Sequence, residues 1–249
     1  MRELFRFSPS VIFLIGFVPP VCGAIASITT ALWFHRKQIL GYNWQCGIAR
    51  LPSLSRIINL PLERVFWQLF TLFHIPMRLI EVAIGFNRYR RLRSIDCRHP
   101  RLFDVARYAY LICGILELVF LIGLSAIGER ESIKYHVISF YVFGIFGLGF
   151  FLSNTICHAN SLYYLNPYGR TSYYLKLFIG ITYVVSVPIL VGSFLFYWKK
   201  CITIMYEVFA ICEYMDVFLN ITFHGCAFLD IRYKVTFSVK HPAYTKSIS

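Results

Sequence analysis

Glu207, Glu213, Asp216, Asn220, His224 and Asp230 all lie within one apolar stretch, residues 202–231. Side chains of these types abstract protons, orient an imidazole or hydrogen-bond a polar substrate. In lipid they are expensive. A charge at the centre of a membrane helix costs roughly 2.5–3.5 kcal/mol on insertion scales, so such groups face a bundle interior or a wet cavity. At about 100° per residue, Tyr206, Glu213, Asn220 and His224 share one narrow helical face, with Asp216 flanking it.

A second polar face occupies an earlier apolar segment. His74, Arg78 and Glu81 follow i, i+4, i+7 spacing, with Trp67 and Gly85 on the same side. Glu117, Asn154 and His158 add polar groups from two further segments. If these faces converge, Arg78 pairs with Glu117 or Glu213. His74 or His224 is then the proton-transfer group, and Glu213 or Glu117 orients it. The competing reading is a buried hydrogen-bond network that fixes helix packing and performs no chemistry. His74, His224, Glu213 and Asp216 form a ligand set that suits zinc or iron. No HxxxH, HExxH or DxxxH spacing supports that set within one helix, so no metal site is assigned. The GxSxG elbow, the Walker loop and the GxGxxG fingerprint are missing. Neither His74 nor His224 has an acid five residues on, the HxxxxD spacing of many glycerolipid acyltransferases.

The elements that must position these groups are membrane helices. The 249 residues are 57% hydrophobic and 15% charged, with mean hydropathy +0.60, a composition foreign to ordinary soluble domains. Six segments are long enough to span, at about 9–34, 66–86, 103–127, 137–157, 175–198 and 202–231. The fold class is therefore all-α, a single polytopic six-helix transmembrane bundle with a connecting loop at 35–65 and a tail at 232–249. Pro19-Pro20 should kink the first segment or shift its register. Val11–Val18 followed by Ala24-Ile25-Ala26 has the outline of a signal peptide, but the apolar run continues to Phe34, which favours an uncleaved helix.

The net charge of +13 does not point to nucleic acid, because the basic residues sit in short connections between apolar runs, where they set topology. Arg88, Arg90, Arg91, Arg93, Arg98 and Arg101 make the densest cluster, which the positive-inside rule places in the cytosol with both termini. Arg2, Arg6, Arg232, Lys234, Lys240 and Lys246 agree; Arg36, Lys37, Arg50, Arg56 and Arg64 in the opposite, lumenal loop do not. Of the eight cysteines, Cys22, Cys113, Cys157, Cys212 and Cys226 lie in apolar runs as packing residues. Cys46 and Cys201 both fall on the lumenal side, where oxidising conditions favour a disulfide that ties the long loop over the sixth helix. The Asn220-Ile221-Thr222 sequon is mid-helix, which suits an interhelical hydrogen bond and not a glycan. Six segments without paired broken helices show no transporter-type repeat.

Several of these pieces occur together in a known pattern: Cys46-Gly47, Leu51-Pro52-Ser53-Leu54-Ser55, His74 with Arg78, Glu117, Phe209-Ala210-Ile211, Glu213-Tyr214, Asn220, Phe223-His224 and Asp230. From about residue 10 to 237 the chain resembles the post-GPI-attachment-to-proteins factor 2 family, in the wider group that includes the damage-regulated autophagy modulators. The resemblance implies a Golgi membrane protein, or one also in the endoplasmic reticulum, that remodels GPI-anchor lipid. The implied step is reacylation of a lyso-GPI intermediate with a saturated fatty acid at sn-2, with acyl-CoA or a phospholipid as the acyl donor and no resident cofactor. Membrane lipid and GPI-anchored proteins are the implied partners. The chain is then either an O-acyltransferase, a non-enzymatic scaffold or lipid-presenting subunit serving a partner membrane protein, or a regulator linked to autophagy or signalling. His74, Arg78, Glu117, Glu213 and His224 carry over as candidate catalytic groups, and Tyr214, Asn220 and Asp230 as binding groups. Glu81, Asp216 and the Arg88–Arg101 run depart from the family pattern and leave the exact substrate open.

Overall fold

A computed structural model describes residues 2–41 and 46–239, so Lys240 and Lys246 lie outside the described residues. The long helices are α1 (Pro9–Phe34), α4 (Pro61–Arg91), α5 (Pro100–Ala126), α6 (Glu129–Ala159), α7 (Pro167–Lys200) and α8 (Thr203–Gly225). Short helices α2 (Arg36–Leu40) and α3 (Leu54–Ile57) lie in the connection after α1, and α9 (Ala227–Asp230) follows α8. Four long helices begin on a proline, where the missing N–H costs no hydrogen bond. Ser8 and Asn166 add side-chain caps, accepting from the Val11 and Tyr168 amides at 3.3 and 3.0 Å.

Five helices, α1, α4, α5, α6 and α7, are long and apolar enough to cross a membrane. The expected sixth differs. α8 has 23 residues, about 35 Å of helix, but its polar face keeps it out of that apolar set. The predicted 202–231 segment also breaks at Gly225, where a Cβ would meet the Phe17 ring of α1 at 2.8 Å. Asp230 consequently sits on α9, off the helix that carries the other polar residues. Elsewhere the helices outrun the apolar segments: 66–86 becomes Pro61–Arg91, and 137–157 becomes Glu129–Ala159. Hydropathy marks the lipid-facing middle, whereas backbone hydrogen bonding continues into polar ends. At the end of α4, Arg88, Arg90 and Arg91 complement the negative pole of the helix dipole. The Pro19-Pro20 pair lies inside α1 without ending it.

The all-α expectation has one exception. Residues 2–7 and 235–239, expected as terminal tails, pair as antiparallel strands β1 (Arg2–Phe7) and β2 (Val235–Val239). Val235-Thr236-Phe237-Ser238-Val239 alternates apolar and polar residues with a period of two, the strand pattern. The pairing holds residues 2–7 and 235–239 at one end of the bundle, together with the arginine-rich connection between α4 and α5. Cys46 and Cys201 are disulfide-bonded at the other end, where the loop after α1 meets the start of α8.

α1 packs on α4, α5 on α6, and α7 on α8, while α6 and α7 meet along a thinner seam. The interior is aromatic. Tyr89, Tyr110, Phe150, Phe151, Tyr183 and Phe223 form the core towards the end with the termini, with Phe151 and Phe223 stacked at 3.8 Å between centroids. Leu190, Tyr197, Tyr206 and Phe209 fill the disulfide end. The outside is apolar as well: Leu14, Leu69, Phe73, Val105, Ile145 and Phe178 are all exposed, as a lipid-facing surface requires.

Candidate functional site

α8 carries its polar residues inward at three successive depths. Nearest the disulfide, it holds the Leu51–Ser55 loop. Glu213 accepts from the Leu54 amide at 2.6 Å, from the Ser55 amide at 3.3 Å and from the Ser55 hydroxyl. Tyr214 donates to the Pro52 carbonyl at 2.6 Å, and Tyr206 to the Ser53 hydroxyl at 2.7 Å. Glu207 takes the Arg50 amide at 3.1 Å. The two readings of Glu213, as a partner of Arg78 or an orienter of a histidine, are therefore corrected. It lies about 10 Å along the helix from Asn220, two turns away, and its oxygens serve a loop whose backbone N–H groups would otherwise be unpaired.

At middle depth α8 faces a cavity bounded by α4 and α6. Its lining includes Thr71, His74, His136, Phe140, Glu213 and Asn220. Two imidazoles here share one arrangement. His74 Nδ1 bonds the Thr71 carbonyl, and His136 Nδ1 bonds the Ile127 carbonyl at 2.8 Å. A carbonyl accepts only, so each Nδ1 carries a proton and each ring turns its Nε2 away from that bond. His136 Nε2 and Thr71 Oγ1 are buried without a hydrogen-bond partner among the described residues. Buried polar atoms in that condition call for an explanation, and a polar ligand or a chemical role is one. Neither residue was picked out from the sequence. His136 falls one position before the predicted 137–157 segment, and Thr71 reads as an ordinary membrane-helix threonine.

Deeper still lies a charged cluster. Arg78 meets Glu117 at 3.4 Å and Glu81 at 3.6 Å. Asn220 donates to Glu117 at 2.7 Å. The His224 ring lies between the carboxylates, with Nε2 3.3 Å from Glu117 and Nδ1 3.4 Å from Glu81. Arg78 and Glu117 are 4% and 1% exposed, so the pair is fully desolvated. Two carboxylates facing one guanidinium need one more positive charge or proton for neutrality, and His224 is placed to hold it. Glu81, which the resemblance did not include, belongs to the cluster. Of the sequence candidates, the structure brings together Arg78, Glu117, Asn220 and His224, with His74 one turn before Arg78. Asp216 is apart, bonded by the Ser186 hydroxyl. His74, Glu213, Asp216 and His224 thus have four separate sets of partners and do not form a ligand set.

Asp230 belongs to another cluster at the end with the termini. It accepts from Ser172 at 2.7 Å, from Lys176, and from Arg88 at 3.2 Å. Lys176 also lies 3.4 Å from Asn154, which takes the Tyr89 hydroxyl at 2.6 Å. The sequence contains one HxxxxD spacing, His99 to Asp104. His99 is exposed, and Asp104 pairs at 3.5 Å with both Arg93 and Arg107.

Two further cavities adjoin the middle one. A second cavity, towards the disulfide, shares His136, Phe140 and Glu213 with it. A third, of about 200 Å³, shares Phe140, Phe143, Glu213 and Val217 and lies on the thin seam between α6 and α7. At Gly147 a Cβ would stand 3.7 Å from Asn220 Nδ2 and 3.8 Å from Glu117 Oε1, in ordinary contact with the charged cluster.

Fold and site together define a multi-pass helical membrane protein whose interior holds charge and hydrogen-bonding groups beside an apolar cleft. The chain belongs to the family described as Frag1/DRAM/Sfk1/Cwh43P N-terminal domain, which matches residues 9–234. Its relatives include Post-GPI attachment to proteins factor 2 of Caenorhabditis briggsae, 27% identical over 90% of this chain and 85% of the relative. The protein of the same name in Caenorhabditis elegans is 28% identical, covering 86% and 82%. A Xenopus tropicalis relative named Acyltransferase PGAP2 is 25% identical, covering 88% and 86%. No solved structure matches the chain.

Proposed function

We propose that this chain acts in the maturation of GPI anchors, by returning a saturated acyl chain to the sn-2 hydroxyl of a lyso-GPI intermediate. The observation that carries the reading is the middle cavity. It places the His74 and His136 rings, each donating from Nδ1 to a carbonyl, and the Thr71 hydroxyl, without a partner among the described residues, beside apolar side chains shared with the cavity on the α6–α7 seam. The names of the relatives supply the GPI context, and one of them the acyltransferase context.

In this reading α8 is the sixth span, both termini are cytosolic, and the disulfide end faces the lumen of the Golgi or the endoplasmic reticulum. The lyso-anchor enters sideways between α6 and α7 with its headgroup towards the Leu51–Ser55 loop. His74 Nε2 takes the proton of the sn-2 hydroxyl as that oxygen bonds to the donor carbonyl carbon. The Thr71 hydroxyl donates to the oxyanion that forms. The donor's acyl bond then breaks and the leaving oxygen or thiolate recovers the proton, so the histidine is regenerated. His224 is not the base, because both its nitrogens already face carboxylates. With Arg78, Glu117 and Asn220 it fixes the floor of the cavity. A phospholipid donor reaches the cleft by the same lateral route; acyl-CoA would enter from the cytosolic end.

One observation favours a second reading, a non-enzymatic lipid-presenting subunit for a partner enzyme: Glu213 and His224 are fully committed to protein partners. The test is mass spectrometry of GPI-anchor lipids from cells lacking the chain, rescued at equal level with wild type or His74→Ala. Acyl transfer at this site predicts saturated diacyl anchors with wild type and lyso-anchors with the variant. Equal restoration by both would leave His74 without a chemical role and support the presenting subunit. Unchanged anchors after deletion would overturn both readings in favour of a regulator.

A further inference from the structure

A separate cavity of about 570 Å³ opens at the end of the bundle that carries the termini, between the last turns of α4 and the segment joining α9 to β2. Its charged lining is one-sided. Arg88, Arg91, Arg232 and Lys234 face a single carboxylate, Asp230. That carboxylate is already shared: Arg88 approaches it at 3.2 Å, and the buried Lys176 bonds the same oxygen from behind. The part-buried Arg88 and the buried Lys176 against one anion leave net positive charge at the floor, which is unfavourable unless another anion approaches. Arg88 also keeps a buried Nε without a hydrogen-bond partner among the described residues.

Two of the four cations are held against aromatic rings before anything binds. The Arg88 guanidinium lies 5.0 and 5.2 Å from the Tyr89 and Tyr163 ring centroids, and that of Arg232 lies 3.9 Å from the Tyr168 ring. Arg91 follows Arg88 by three residues and shares its face of α4. The same face of α4 is apolar one and two turns before Arg88, at Ile84 and Ile80, and Ile231 adds to it from the segment after α9. We infer that this cavity binds a phosphate ester at the membrane surface, with the guanidinium groups on its oxygens and the isoleucine wall against its apolar part. Arginine forks suit phosphate oxygens, and the two candidate sources are a phospholipid headgroup and a soluble nucleotide-type phosphate. The inference does not rest on acyl transfer, because it concerns a different cavity at the opposite end of α8.

The experiment uses the full chain in phosphatidylcholine nanodiscs. Binding of short-chain phosphatidylinositol 4-phosphate, coenzyme A, inorganic phosphate and, as control, short-chain phosphatidylcholine is measured by titration. The inference predicts that at least one phosphate monoester binds ten times or more tighter than the control, with affinity falling as salt rises. Preference for the phosphoinositide identifies a lipid headgroup; preference for coenzyme A identifies the soluble source. Arg91→Gln, Arg232→Gln and Lys234→Gln together should weaken binding by about tenfold or more, on the order of one lost charge-assisted hydrogen bond. Thr236→Asp, which adds a carboxylate at the exposed rim and removes no ionic contact, should weaken it by severalfold. Unliganded thermal midpoints show that the variants fold. Binding of all four probes at the control level, or both variants within twofold of wild type, would overturn the inference.

Discussion

The Arg78–Glu117 pair permits a quantitative test of the buried cluster. Glu117 receives Arg78, Asn220 and His224, so replacing it by leucine leaves a buried guanidinium with Glu81 alone and strips two further groups of a partner. Breaking a desolvated ion pair from one side costs about 3–5 kcal/mol. For a chain of this length each kcal/mol moves the thermal midpoint by roughly 2–4 °C, so Glu117→Leu should lower it by about 6–20 °C. Arg78→Met should cost less. Its loss still leaves Glu117 with two hydrogen-bonding partners, Asn220 and His224. The double variant replaces the pair by apolar groups of similar size, an exchange that is often close to neutral. Its loss should therefore fall short of the sum of the singles by about 2–3 kcal/mol, within the range seen for residues in direct contact. Fluorescence-detected size exclusion after heating, in one detergent, reads all four proteins. Additive losses, or singles within about 2 °C of wild type, would refute the claim that these charges depend on one another.

Three further expectations concern other parts of the molecule. Gly147→Ala places a methyl at ordinary contact distance and should raise the midpoint by about 1–4 °C through helix propensity. Gly147→Leu should leave lyso-anchors in anchor-lipid mass spectrometry by filling the space beside Asn220 and Glu117; full remodelling with this variant would show that the space is not used. Maleimide mass-tagging should leave Cys46 and Cys201 unmodified without reductant and label both after reduction, while Cys201→Ser exposes Cys46 at once. Free reactivity of both in untreated wild type would remove the disulfide. Asp230 lies beyond the membrane-length helices. Burial alone would raise its carboxyl, but Arg88, Lys176 and His158 outweigh burial and hold it below its ordinary 3.8. Its contribution is thus present above that ordinary value and lost only as pH falls through the lower folded one. Asp230→Asn should depress the midpoint equally at pH 7 and pH 5; a gap that closes by pH 5 would contradict this.

What the sequence disclosed followed from helical periodicity. The inward face of α8 was legible because four polar residues recur at helical spacing among Val, Phe and Ile, and Tyr206, Glu213, Asn220 and His224 are all buried. The pairing was not legible. Spacing places Glu117 and Glu213 on helix faces but does not give the depth at which two helices meet, so the choice of partner for Arg78 waited for the packing. Lys176 was missed because it lies at the edge of an apolar segment, where a lysine normally reaches out to the headgroups. Here it points inward to Asp230 and Asn154. The terminal strands were hidden differently: the pattern of Val235–Val239 is visible, but its partner is at the other end of the chain. Spacing and the family resemblance both pointed to His74 and His224, and only the structure supplied a reason to prefer the first: one ring lines a cavity, and the other is held between two carboxylates.

The central claim is that the middle cavity performs acyl transfer, and purified components test it most directly. The wild-type chain and His74→Ala would be placed in nanodiscs with a lyso-GPI and an isotope-labelled stearoyl donor, supplied once as acyl-CoA and once as phospholipid. Product would be read by mass spectrometry. The account predicts a labelled diacyl anchor with one of the two donors for wild type, and at least a hundredfold less for His74→Ala, the scale of a lost general base. If wild type rescues cells yet forms no product with either donor, the cavity presents lipid to another enzyme and the acyl-transfer account is contradicted.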